Sequence, residues 1–215
     1  MLNYSEIDAV LEIIGTIAFA SSGAMVGIRK GMDLFGILVL GIVTALGGGC
    51  VRDIILGITP PGMFVNSSYA IQALISSLIL FMIFYVKTDY LNSKALKKYE
   101  DFLMILDAIG LGAFTVTGIN TAIGTGYAEK EFLLIFVGML TGVGGGIIRD
   151  VFSNSIPSIF KEQIYAVASF FGACFYVLFI DKLDADTVMI LSAMIVIIIR
   201  IFAVKKNLHL PKVKI

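Results

Sequence analysis

The residues most able to do chemistry fall in two short stretches. Gly47-Gly48-Gly49-Cys50-Val51-Arg52-Asp53 returns as Gly144-Gly145-Gly146-Ile147-Ile148-Arg149-Asp150. Both lie inside long apolar runs, where an arginine or an aspartate is costly unless it faces protein or a wet cavity. Three glycines in succession weaken a helix and let another backbone come close. Such residues suit solvation more than bond making, because oxygens can replace the water of an ion and guanidinium groups can hold carboxylates in lipid. The one histidine, His209, is in the C-terminal tail. The sequence has no phosphate loop, nucleotide fingerprint, Ser-His-Asp set or metal-ligand cluster, so no enzyme, cofactor or metal site is expected.

The glycine triplets admit two readings. Gly41-xxx-Ala45-xxx-Gly49 and Gly138-xxx-Gly142-xxx-Gly146 are small-residue rows that suit close helix packing. Alternatively, the second and fifth helices kink or unwind at the triplets, and freed carbonyls coordinate a cation near the bilayer midplane. The Arg-Asp pairs follow one turn on. Adjacent helical residues do not face each other, so pairing across the two blocks is expected, Arg52 with Asp150 and Arg149 with Asp53, or of each with a freed backbone group. The alternative is that they are interfacial anchors.

Hydroxyls form a third set. Thr117, Thr121 and Thr125 follow at i, i+4 in the fourth helix, near Thr115, Asn120 and Asp107, while Ser21, Ser22, Thr44 and Thr141 come from the first, second and fifth. They could line a narrow hydrated path for a weakly hydrated monovalent cation, or bond carbonyls one turn back. Glu12 and Asp107 are either mouth charges or interfacial groups.

The elements that must position these residues are membrane helices. The chain has 215 residues, 58% hydrophobic and 15% charged, with zero net charge and a mean hydropathy of +0.96. That is far more apolar than a soluble domain, and the neutral balance argues against nucleic acid as a partner. Seven apolar stretches approach the ~20 residues a spanning helix needs: 7–28, 33–57, 68–86, 101–124, 131–153, 163–180 and 185–204. No period-two alternation suggests a β-barrel. The N-terminus, with Glu6 and Asp8 and no basic residue, does not read as a cleaved signal peptide. Cys50 and Cys174 fall in separate spans and read as isolated thiols.

Seven spans place Arg29, Lys30, Lys87, Lys94, Lys97, Lys98, Lys161, Lys205, Lys206, Lys212 and Lys214 on one side, and only Lys130 and Lys182 on the other. The positive-inside rule then puts the N-terminus outside and the C-terminus in the cytoplasm. The basic segments could also hold anionic lipid headgroups. Laying Arg52 on Arg149, a shift of 97 residues, also superposes Gly15 on Gly112, Phe35 on Phe132, Gly41 on Gly138 and Thr44 on Thr141. The expected fold is therefore all-α: a single membrane domain over 1–215 with repeat one at about 7–87 and repeat two at about 101–180. A seventh helix at about 185–204 packs outside. Three spans per repeat make the second copy inverted.

Two three-helix repeats, each with a Gly-Gly-Gly-x-x-Arg-Asp block, plus a seventh helix resemble the prokaryotic trimeric intracellular cation (TRIC) channels. The resemblance covers residues 7–204. It implies a homotrimer with one hydrophilic pore per protomer, second and fifth helices kinked at the triplets, and potassium-permeable monovalent cation conduction. It also implies a multi-pass protein of a prokaryotic plasma membrane. The permeant potassium ion and bound lipid are the ligands expected, with no other cofactor. Related bacterial sequences carry a glycine-transporter label, so a secondary transporter of glycine or another small zwitterion is the alternative.

Overall fold

The computed structural model describes residues 6–86, 93–161, 164–206 and 208, with side chains throughout except at 93–100 and 161. All of its regular structure is helical. Helices α1 (Glu6–Arg29), α2 (Leu34–Ile55), α3 (Gly62–Val65) and α4 (Ser68–Val86) form the first half. Helices α5 (Ser93–Ala122), α6 (Glu131–Phe152), α7 (Ser158–Lys161) and α8 (Tyr165–Phe179) form the second, followed by α9 (Ala185–Lys205).

Local chemistry sets the ends. Glu6 and Asp8 open α1 and Arg29 closes it, complementing the helix dipole. Asp33 caps α2 by accepting from the Gly36 amide at 2.7 Å, and Asp184 caps α9 through the Thr187 amide at 2.9 Å. Helix α5 continues through a π-helical turn, Ile123–Tyr127, that ends with Gly126 at φ 94°.

Among the described residues, six helical segments are long and apolar enough to cross a membrane: α1, α2, α4, Asp101–Tyr127, α6 and α9. Helix α8, at 15 residues, is shorter. The stretch before Asp101, expected as loop, is helical from Ser93 onward. The short helices α3 and α7 were not foreseen. They follow Pro61 and Pro157, where the missing amide donor suits a first helical turn.

Helices α1, α2, α5 and α6 make the centre. Contacts of α1 with α2, α1 with α4 and α2 with α4 recur as α5 with α6, α5 with α8 and α6 with α8. Helix α4 buries little besides Ala73 and Ser77, and its remaining apolar side chains point outward. Helix α9 packs on α5 and α8. It is not merely an apolar outer layer, since Ser192 and Arg200 on it are buried.

Candidate functional site

The two Arg-Asp blocks build matching corners. Helix α2 ends with Gly57 at φ 73°, and α6 ends at the corresponding Asn154 with φ 52°. Glycine and asparagine are the residues that tolerate this left-handed helix stop. At each corner one carboxylate faces both ways. Asp53 Oδ1 accepts from Arg52 Nε at 2.8 Å and its Oδ2 from the Gly62 amide at 2.8 Å. Asp150 Oδ1 accepts from Arg149 Nε at 2.8 Å and its Oδ2 from the Ser158 amide at 2.7 Å. Each aspartate thus joins its own arginine to the first amides of α3 or α7.

The expected cross-pairing, Arg52 with Asp150 and Arg149 with Asp53, does not form. The rule that adjacent helical residues diverge holds for the Cβ directions, but a long guanidinium stem bends across the gap to its neighbour. Nor are the arginines interfacial anchors: the Arg149 side chain is only 4% exposed and that of Arg52 11%.

The two corners differ in what else they hold. Arg149 Nη1 donates to Asp107 Oδ1 on α5 and to Ser22 Oγ on α1, each at 2.5 Å. In the 97-residue correspondence these partners become Val10 and Ile119, so Arg52 has no equivalent clamp. Beyond Arg149, Tyr165 is buried, and the Arg200 guanidinium lies 4.8 Å over its ring.

The triplets are where α2 and α6 cross. A Cβ on Gly48 would fall on the Thr141 carbonyl oxygen, and one on Gly145 on the Thr44 carbonyl oxygen. One on Gly144 would lie 3.0 Å from the Gly48 Cα. Gly47 and Gly146 face Ile148 and the Tyr165 hydroxyl, while Gly49 is more open, with Arg52 nearest. The expected unwinding is absent, since both helices run unbroken through the glycines. Missing side chains, not missing turns, are what the crossing requires.

Two cavities flank the crossing. The first, about 340 Å³, is lined by Glu12, Thr16, Gly49, Cys50, Arg52 and Asp53 among others. The second, about 350 Å³, is lined by Arg29, Asp101, Asp107, Arg149, Ser158 and Arg200 with three apolar residues. Along α1 the order is Glu12 and Thr16 on the first cavity, then Phe19, then Ser22 on Arg149, then Arg29 on the second. Along α5 it reverses, from Asp101 and Asp107 through Gly110 against Phe19 to Phe114 on the first cavity. Phe19 is wholly buried, packed on Phe114 at 5.2 Å and against the faces of Gly110 and Gly145. The cavities are therefore separated by one aromatic ring and the Arg149 cluster.

The hydroxyls sit between helices, and none of the eight named for a path lines either cavity. Thr44, Thr121, Thr125 and Thr141 bond carbonyls one turn back. Ser21 and Thr117 are buried among the helices, and Ser22 serves Arg149. Glu12 and Asp107 do face cavities. Cys50 and Cys174 are both free. Lys87 and His209 lie outside the described residues, as do the side chains of Lys94, Lys97, Lys98 and Lys161 and the tail lysines Lys212 and Lys214.

Sequence reasoning passed over Phe19, Arg200 and Asp8. Asn120 donates to Asp8 Oδ1 at 2.5 Å and accepts from the Tyr176 hydroxyl, which ties α1, α5 and α8 together. An arginine inside the apolar run of α9 was a readable signal. A phenylalanine in a membrane helix carries none.

Matched corners, buried charge and a glycine-lined crossing within apolar helices define an all-helical, multi-pass membrane protein. The family model described as glycine transporter matches residues 9–85 and 104–181. The UPF0126 inner membrane protein YadS of Escherichia coli (strain K12) is 33% identical over 203 residues, covering 94% of this chain and 93% of its own. The structure is similar to that of a TRIC cation channel, with a TM-score of 0.81 and 38% identity over 96% of this chain and 97% of the other. It is also similar to the TRIC trimeric intracellular cation channel orthologue from Rhodobacter sphaeroides, with a TM-score of 0.84 and 29% identity over 95% and 100%. The chain belongs to this family of UPF0126 membrane proteins and prokaryotic TRIC channels, whose members are channels and transporters rather than enzymes.

Proposed function

We propose that the protein is a potassium-permeable monovalent cation channel with one path through each protomer, captured with that path shut. The observation that carries this reading is the pair of charged cavities at opposite ends of α1, divided by Phe19 and the Arg149 cluster. An ion needs only a displaced ring and a loosened guanidinium to pass from Glu12 to Asp107. Neutral oxygens between the cavities, such as the Ser22 hydroxyl that accepts from Arg149, then replace part of its water. Such neutral oxygens suit a weakly hydrated ion such as potassium. The relatives described as TRIC cation channels support the same reading.

The reversed order of the cavities along α5, and the two separately matched halves, favour two inverted three-helix repeats. Seven spans follow if α8 crosses with the help of the residues before it. The loop lysines and arginines then favour an outside N-terminus and a cytoplasmic C-terminus in a prokaryotic plasma membrane. The outward apolar face of α4 is available to lipid or to neighbouring protomers, and a relative described as trimeric favours a homotrimer.

The second reading is a secondary transporter of glycine or another small zwitterion. It is favoured by the family description and by cavities that do not communicate, as alternating access requires. Purified protein in liposomes separates the two. Potassium efflux that charges the membrane, without saturable glycine uptake, fits the channel. Saturable glycine uptake without conductance fits the transporter and rejects the channel.

A further inference from the structure

The two cavities differ in charge, and a residue that belongs to neither repeat supplies half of the difference. The first holds Glu12 and Asp53 against Arg52, one net negative charge. The second holds Arg29, Arg149 and Arg200 against Asp101 and Asp107, one net positive charge. Adding the carboxylates one step behind the walls, Asp8 beside the first and Asp150 beside the second, lowers both by one and leaves the difference of two charges intact. Without Arg200 that difference falls from two charges to one. Arg200 is 3% exposed, held over the Tyr165 ring on α9, and a guanidinium stays protonated in proteins. Lys205 and Lys206, exposed at the same end of α9, add charge of the same sign.

We propose that Arg200 makes the path rectify, so that cations entering at the Glu12 end pass more readily than cations entering at the Arg200 end. This rests on the channel reading above. A permeant cation is more enriched at the Glu12 mouth than at the Arg200 mouth. A unit charge at roughly 8 Å in water changes the local concentration of a monovalent ion about two-fold. If the N-terminus is outside, the favoured direction is inward. The charge is fixed rather than titratable, so the asymmetry persists across the physiological pH range and responds to salt instead.

Single-channel currents of the full chain in planar bilayers with symmetric KCl test this. In about 0.1 M salt, where the Debye length is ~10 Å, wild-type currents at equal and opposite voltages should differ about two-fold. In about 1 M salt, where it is ~3 Å, they should nearly match. Arg200→Gln should lower the ratio toward one in dilute salt, while Arg200→Lys should keep it. Val204 lines the same cavity on the same helix, so Val204→Glu should flatten the ratio and Val204→Lys steepen it, with Arg200 left in place. These two variants decide the matter should Arg200→Gln fail to fold. Linear wild-type currents in dilute salt, or a ratio unmoved by both Arg200→Gln and Val204→Glu, would overturn the proposal and leave the channel standing. Absence of any current from the wild type would instead reject the channel reading, and this inference with it.

Discussion

At the scale of single residues, the two arginines separate most clearly. A buried guanidinium with three acceptors on three helices cannot be removed without stranding its partners, and an unpaired buried charge costs roughly 3–5 kcal/mol. Arg149→Ala takes from Asp107 and Asp150 the cation hydrogen-bonded to both, whereas Arg52→Ala leaves Asp53 with the Gly62 amide beside an open cavity. Thermal unfolding in detergent should therefore show a larger loss for Arg149→Ala than for Arg52→Ala. Equal losses would mean that the Asp107 and Ser22 clamp contributes little. The importance of these residues was legible in the sequence, because charge repeated within lipid-spanning runs needs a reason. Their partners were not. Asp107 and Ser22 lie 42 and 127 residues from Arg149, and only the packing of α1, α5 and α6 brings them together.

At the scale of elements, the helices were readable because hydropathy and length fix them. The observed bounds of α2, α4, α6 and α9 lie within two residues of those expected from sequence. The glycine triplets were recognised with close packing and a kink or unwinding both open, and the structure has close packing of helices that do not unwind. Propensity argues for a broken helix, yet tertiary packing overrides it where two backbones must touch. Gly48→Ala and Gly145→Ala each set a methyl group on a carbonyl of the opposing helix and should cost about 1–3 kcal/mol by overpacking. Gly49→Ala has nothing but Arg52 within 4 Å and should be far milder. Denaturation curves of the three variants check that order. The start of α9 offers a pH test, since the Thr187 amide bond holds the Asp184 carboxyl below its ordinary value. A carboxylate lowered on folding stabilises above its unfolded pKa and loses that contribution as pH falls through the folded one. The protection factor of the Thr187 amide, its exchange corrected for the intrinsic rate at each pH, should therefore fall in acid, and Asp184→Asn should remove that dependence.

At the scale of the whole molecule, the two halves were visible as a sequence repeat, but their differences govern the path. Both corners stop a helix in the same way and tie an aspartate to the next short helix, a likeness that follows the repeated block although the short helices themselves were not foreseen. The clamp on Arg149 and the ring of Phe19 have no such signature, since each depends on substitutions at otherwise unremarkable positions, whereas the cation on α9 stood out within its apolar run. The central claim is that a potassium path runs between the two cavities and is closed by Phe19. The most direct measurement is potassium current through planar bilayers holding the wild type or Phe19→Ala, with trapped-glycine uptake in liposomes run in parallel. The account predicts unitary potassium currents from the wild type and a higher open probability or conductance from Phe19→Ala, with no saturable glycine uptake. Silence from both proteins, together with saturable glycine uptake by the wild type, would contradict it.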